Sequence, residues 1–200
     1  MTIALYAPCG DKKEHDVAVM LRNALLSAFF PSEKSENIFY YAASGRPMLT
    51  LSGCDLSVSH SHGAASVALS LPGVMPLPAF DCGELLTLDA SEKSFQIGLD
   101  IETSADKKQK TAENVARREF TAGEMAYLEK ASGECGFQEA FVRVWTRKEA
   151  LVKLTGEGLA GLGKTDSTDL SPGLRLFTQK ITVGRKDYIL SAALRGNSED

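Results

Sequence analysis

The sequence predicts an α+β fold made of two similarly outlined halves. Three observations point there. A run of strand, helix and strand patterns occurs twice along the chain, and a proline-marked stretch without periodicity separates the two runs. The length of 200 residues also suits two units of about 100 residues each. The halves share an outline but little identity, which suggests a duplicated α+β unit without proving one. The boundaries are set at 1–90 for the N-terminal half and 91–200 for the C-terminal half.

The elements follow in order. Thr2 to Ala7 alternates as a strand and Gly10 to Lys13 breaks it. From His15 to Phe30, Val17, Met20, Leu21, Ala24, Leu25 and Phe29 recur at three-to-four spacing, the pattern of an amphipathic helix. Pro31 closes it. Ile38–Tyr41, Leu56–Ser59 and Ala65–Leu71 read as short strands, with His60-Ser61-His62-Gly63 as the turn between the last two. Leu71 to Ser94 carries Pro72, Pro76 and Pro78 and is read as a linker or mobile surface loop. Phe95 to Ile101 is a strand, and Thr121-x-x-Glu124 is a capping box opening a helix to about Lys130. Gln138 to Leu154 is the strongest helix pattern, ended by Gly156, Gly158, Gly161 and Gly163. Leu174–Val183 and Tyr188–Leu194 form a closing hairpin.

Composition narrows the function. Hydrophobic residues make up 44% and charged residues 24%, an ordinary globular balance. The net charge of -4 provides no basic excess to offset nucleic-acid phosphates. A small polyanion would need a local cluster of cations. Cys9, Cys54, Cys82 and Cys135 are widely separated and read as reduced thiols of a cytoplasmic protein. The N-terminal segment lacks the apolar run of a signal peptide, and no apolar stretch is long enough to span a membrane.

Four constellations carry chemistry. In Gly98-Leu99-Asp100-Ile101-Glu102 the two carboxylates lie two apart on a strand, so they project from one face and favour a hard divalent cation between them. On this pentapeptide alone, a solvated strand end is the commoner reading. In Trp145 to Lys153, the residues Trp145, Glu149 and Lys153 form one helical stripe, which reads equally as a core tryptophan beside an exposed ion pair. The glycines after that stripe allow a ligand close to the backbone. Ser57 to Gly63 offers His60 for a phosphate contact, or else a pair of exposed turn histidines. No Cys or carboxylate at suitable spacing completes a zinc set with His60 and His62. Gly45-Arg46-Pro47 is by itself a turn with one arginine.

Taken together and in this order, Gly45-Arg46-Pro47, Ser59-His60-Ser61, Gly98-Leu99-Asp100-Ile101-Glu102 and Trp145-Thr146-Arg147-Lys148-Glu149-Ala150-Leu151-Val152-Lys153 resemble the motifs of the 4'-phosphopantetheinyl transferase superfamily. The last two are the specific ones. The resemblance runs over roughly residues 14–160, with Tyr188–Leu194 similar to the family's final strand. The length resembles the longer, surfactin-synthetase-activating type, which implies an intramolecular pseudo-dimer with one site between its halves, and a monomer. The implied reaction moves the phosphopantetheine arm of coenzyme A onto a serine of an apo-acyl or peptidyl carrier protein and releases 3',5'-ADP.

By that resemblance Asp100, Glu102 and Glu149 would bind Mg²⁺, and Lys153 would stabilise the leaving group. Glu149 is the favoured base, with Glu102 or a bound water as alternatives. Arg46 and His60 match positions that contact the 3'-phosphate and adenosine end of coenzyme A, and Arg22 matches a basic position there more weakly. The chain lacks much of the basic stretch that precedes the first helix in larger relatives, leaving Lys12 and Lys13 to replace it. Two other classes stay open: an inactive binder of coenzyme A or carrier protein with the same fold, and a metal-dependent phosphodiesterase.

Overall fold

The structure is a computed structural model and describes residues 1–93, 95–103 and 109–196. Its N-terminal strand β1 (Thr2–Pro8) leads into helix α1 (Glu14–Phe29), a short helix α2 (Ser35–Ile38) and a small hairpin, β2 (Phe39–Tyr41) with β3 (Pro47–Leu49). The hairpin β4 (Asp55–Ser61) and β5 (Ala64–Ser70) follows, then β6 (Glu84–Asp89). Next come β7 (Phe95–Thr103), α3 (Gln109–Glu119), α4 (Ala122–Cys135) and α5 (Phe137–Thr155). A 3-10 helix (Gly158–Lys164) leads to the closing hairpin of β8 (Leu174–Val183) and β9 (Lys186–Gly196). The turn of the β4–β5 hairpin is only His62-Gly63, and both residues have positive φ, as a two-residue primed turn requires.

Strand alternation explains how the layers stack. One sheet has the order β4-β5-β1-β6 and the other β7-β9-β8, all antiparallel. Ile3 and Leu5 of β1 and Val67 and Leu69 of β5 meet Val17, Leu21 and Leu25 of α1 in one core. Their neighbours Ala4, Tyr6, Ala64 and Ala68 point the other way and join Phe95, Ile97, Leu99, Leu190 and Ala192 of the second sheet. The far face of that sheet carries Ile189 and Ala193, which pack with residues of α5. The order is therefore α1, first sheet, second sheet, α5 with α3 and α4. Among the described residues, no helix is long and apolar enough to cross a membrane.

One expectation is overturned. The stretch read as a linker contains β6, which pairs with β1 through Ile3↔Thr87 and Leu5↔Leu85 and buries Leu88. Six residues between a proline-marked loop and a charged segment are too few to show a period. Long-range pairing with β1 holds this strand, and local pattern does not reveal it. Ser94, the last residue of that stretch, lies outside the described residues. Ile38 belongs to α2 rather than to the following strand, and β3 was not anticipated.

Helix α5 lies directly on β7 because Gly98 has no side chain. A Cβ at Gly98 would overlap the Ala150 carbonyl oxygen and approach Leu154 N to 2.5 Å. Thr146 Oγ1 also meets Ser191 Oγ of β9 at 2.8 Å. A buried ion pair fixes the other side of the helix. Lys148 Nζ donates to Glu124 Oε2 at 2.6 Å and to the Thr165 carbonyl, and both side chains are 0% exposed. Glu124 accepts the Thr121 N–H at 2.9 Å and the Ser167 N–H at 2.7 Å as well. The capping glutamate expected from sequence thus also joins α4, α5 and the loop after the 3-10 helix.

Two predictions follow from this packing. Gly98→Ala, which presses a methyl against rigid backbone, is expected to cost about 3 kcal/mol, the upper end of overpacking penalties, and to lower the thermal midpoint by about 6–12 °C. Lys148→Met should cost about 3–5 kcal/mol because it strands a buried carboxylate. The double variant Lys148→Met/Glu124→Gln should recover part of that loss. Denaturant unfolding of all three against the parent checks both; a double variant less stable than Lys148→Met would refute the stranded-charge account.

Candidate active site

The site begins at the junction of the two sheets. β7 is an edge strand, so alternate backbone N–H groups face away from β9 and need acceptors. Side chains of the first sheet supply them. Phe95 N donates to Ser70 Oγ (2.9 Å), Ile97 N to Asp55 Oδ2 (2.8 Å), Leu99 N to Ser57 Oγ (2.9 Å) and Ile101 N to Ser59 Oγ (3.3 Å). Because both strands repeat every two residues, Asp55, Ser57 and Ser59 keep step with 97, 99 and 101. The even-numbered β7 residues Gly98, Asp100 and Glu102 then face α5.

A cavity of about 700 Å³ opens along this junction. Helix α1 contributes His15 and Arg22, the β2–β3 hairpin Tyr41 and Pro47, and β4 Ser59 and His60. β7 contributes Asp100 and Glu102, and α5 contributes Trp145, Glu149 and Lys153. The two halves of the sequence therefore form one wall each, with Arg22 and the imidazoles of His15 and His60 on the α1–β4 side and three carboxylates with Lys153 on the β7–α5 side. A smaller cavity of about 290 Å³ adjoins it, lined by Gly45, Arg46, Gly156 and Gly158 and again by Glu149 and Lys153.

The structure brings Asp100 and Glu102 of β7 together with Glu149 and Lys153 of α5 in one cavity, a grouping that the resemblance, not the spacing, implied. Lys153 Nζ lies 2.8 Å from Asp100 Oδ1 and 2.9 Å from Ser59 Oγ. Ser59 Oγ donates to the same Asp100 oxygen at 2.8 Å. Asp100 Oδ2 and Glu102 Oε2 are buried and accept no hydrogen bond. Buried carboxylate oxygens without a hydrogen bond are expensive, and Asp100 Oδ2 is the barer of the two, since Glu102 Oε2 has His62 Nδ1 3.6 Å away. They suit a hard cation with oxygen ligands. Among the described residues, no three His, Cys, Asp or Glu side chains close into a metal cage on their own. Mg²⁺ keeps several waters and shares substrate phosphates, so protein carboxylates need not enclose it unaided.

The residues expected at the coenzyme A end are placed less uniformly. His60 lines the large cavity, with Nδ1 3.2 Å from Glu14 Oε2, while the other Glu14 oxygen accepts the Gly63 N–H at 2.6 Å. Arg22 also lines that cavity, its guanidinium 4.0 Å from the centre of the Phe39 ring. Arg46 borders the smaller cavity. Its guanidinium donates to Asp55 Oδ2 (2.6 Å) and to the Leu154 carbonyl (2.8 Å), tying β4 to the end of α5. Burial pushes the Asp55 carboxyl above its ordinary pKa, against the pull of that guanidinium and of the Ile97 and Leu56 N–H groups. Lys12 and Lys13 are exposed in the turn before α1. His62 Nδ1 sits 3.6 Å from Glu102 Oε2 and 2.6 Å from Ser61 Oγ.

Sequence reasoning missed Asp55, Ser57 and Ser59 as acceptors for the edge of β7, and missed Glu14 as the partner of His60. The period-two run of polar residues from Asp55 to Ser61 was the available signal. A strand that is polar on one face needs a polar partner there.

No curated protein matches the chain. Residues 96–188, a little under half of the chain, match the family model of the 4'-phosphopantetheinyl transferase superfamily, so the stretch from β7 through α3 to α5 and β8 is similar to that superfamily.

Proposed function

We propose that this chain transfers the 4'-phosphopantetheine arm of coenzyme A to a serine of an apo-acyl or peptidyl carrier protein, with Mg²⁺, and releases 3',5'-ADP. One observation carries the reading: a single cavity gathers Asp100, Glu102, Glu149 and Lys153, and two of its carboxylate oxygens are buried without a hydrogen bond. The superfamily match over residues 96–188 supports phosphopantetheinyl transfer in general. The cavity bordered by both sheets fits a pseudo-dimer of halves 1–90 and 91–200 working as a monomer. Four free cysteines fit a reducing, cytoplasmic setting.

Asp100, Glu102 and Glu149 would hold the cation, which when bound screens the charge of the pyrophosphate. Glu149 takes the proton of the carrier serine as the serine oxygen bonds to the β-phosphorus. The bond from that phosphorus to the 3',5'-ADP oxygen breaks, and Lys153 compensates the charge appearing there. His60 and Arg22 face the same cavity from the opposite wall and are assigned to the 3'-phosphate end. Arg46, with its protein partners, is assigned to that end from the smaller cavity.

The test is intact-mass spectrometry of a purified apo-carrier protein after incubation with the chain, coenzyme A and Mg²⁺, with and without EDTA. The carrier should gain one phosphopantetheine, and EDTA should abolish the gain. Glu149→Gln should lower turnover about 100- to 10,000-fold, the usual worth of a positioned base. His60→Ala should raise KM for coenzyme A with little change in kcat. Near-normal turnover in Glu149→Gln would remove Glu149 from the base and metal roles. Free phosphopantetheine with an unmodified carrier would point to a phosphodiesterase instead.

A further inference from the structure

We propose that Ser59 is a positioning residue that makes the two oxygens of Asp100 unequal, reserving Oδ2 for a divalent cation; this rests on the reading of the site given above. A serine hydroxyl has one hydrogen to donate and two lone pairs to accept with. Ser59 uses all three. It donates to Asp100 Oδ1 at 2.8 Å, accepts Lys153 Nζ at 2.9 Å and accepts Ile101 N at 3.3 Å. Lys153 Nζ also reaches Asp100 Oδ1, at 2.8 Å. One oxygen of a carboxylate that is 6% exposed therefore carries two donors, one of them an ammonium, while the other is buried with none.

The inequality depends on the hydroxyl. Ser59 is held in place by the edge of β7 and by its own burial, so it fixes both the rotation of the Asp100 carboxylate and the position of the Lys153 ammonium. Without it, the ammonium has Asp100 as its remaining acceptor of the two, and nothing keeps it on Oδ1. A lysine bridging both oxygens would occupy the place of the cation. Ser57 provides an internal comparison. Its Oγ accepts the Leu99 N–H at 2.9 Å, the same service to β7, and no hydrogen bond joins it to Asp100 or Lys153.

The experiment titrates Mn²⁺ alone, followed by its paramagnetic resonance signal, into the full chain and its variants, with thermal unfolding alongside. Ser59→Ala should weaken Mn²⁺ binding about 10- to 100-fold, the usual effect of losing a group that orients a metal ligand. Ser59→Thr, which keeps a hydroxyl on a strand-compatible side chain, should restore binding. Ser57→Ala, which also strips an acceptor from β7, should lower the thermal midpoint yet leave Mn²⁺ affinity at the parent value. If Ser59→Ala binds Mn²⁺ as the parent does, or Ser57→Ala weakens binding equally, the positioning role is overturned while the metal assignment stands. If the parent chain binds no Mn²⁺, the metal assignment is overturned, and the role of Ser59 falls with it.

Discussion

Strand β7 ends its sheet, so on one side its N–H groups have no neighbouring strand to accept them, and the way the two sheets pack follows from how they are satisfied. An edge strand enclosed within a protein must find acceptors for its outward N–H groups. This chain answers with side chains from the other sheet rather than with another strand. Ser70, Asp55, Ser57 and Ser59 take the N–H groups of residues 95, 97, 99 and 101 in turn. A backbone ladder would place a strand at a fixed spacing beside β7. Side-chain acceptors instead let the two sheets stack face to face through Ala4, Ala64, Ala68, Leu99 and Ala192 while remaining in register at one edge. The last contact of that row, at Ser59, is also the first contact of the site.

Helix α5 sets the other half of the geometry. Four residues separate Glu149 from Lys153, so both leave the helix on one side, and the absence of a side chain at Gly98 brings that side down onto Asp100. The adjacent Lys148 points elsewhere and is buried against Glu124. Burying this pair costs desolvation, and hydrophobic replacements of similar size are often as stable. What an ion pair adds is directional. It fixes the rotation of α5 about its axis by tying it to the N-terminus of α4 and to the loop at Thr165 and Ser167. A helix rotated by one position would carry Glu149 and Lys153 out of the cavity.

Much of this was legible in the sequence, for reasons that differ by element. Helices α1 and α5 are long and amphipathic, so their period shows, and the Thr121/Glu124 capping box is a local signature that the structure reproduces in full. Asp100 and Glu102 on β7, and Glu149 and Lys153 on α5, lie on regular elements, where spacing fixes the face within each element; that the two faces meet was implied only by the resemblance. Strand β6 was invisible because its pairing with β1 lies some eighty residues away in sequence. Arg46 shows the same limit at a single residue. The sequence offers a turn arginine, and only the tertiary structure presents it with Asp55 and the Leu154 carbonyl. The polar face of β4 was visible as a pattern, but its purpose depends on where the edge of β7 lies.

The distribution of charge explains how an acidic protein accommodates an anionic ligand on the proposed reading. The chain has a net charge of -4, so its long-range field does not attract a polyphosphate. Selectivity then has to arise inside the cavity, where separation of charge counts for more than the total. One wall carries Arg22, His15 and His60, and the other carries Asp100, Glu102 and Glu149. Lys153 sits on the acidic wall, paired with Asp100. A bare polyanion would meet the Arg22 guanidinium on one side and three carboxylates on the other, whereas on the proposed reading a polyanion carrying a divalent cation would suit both. On that reading the acidic wall would admit the ligand and the metal together more readily than the ligand alone, while Lys153, held beside Asp100, moderates the repulsion among the carboxylates.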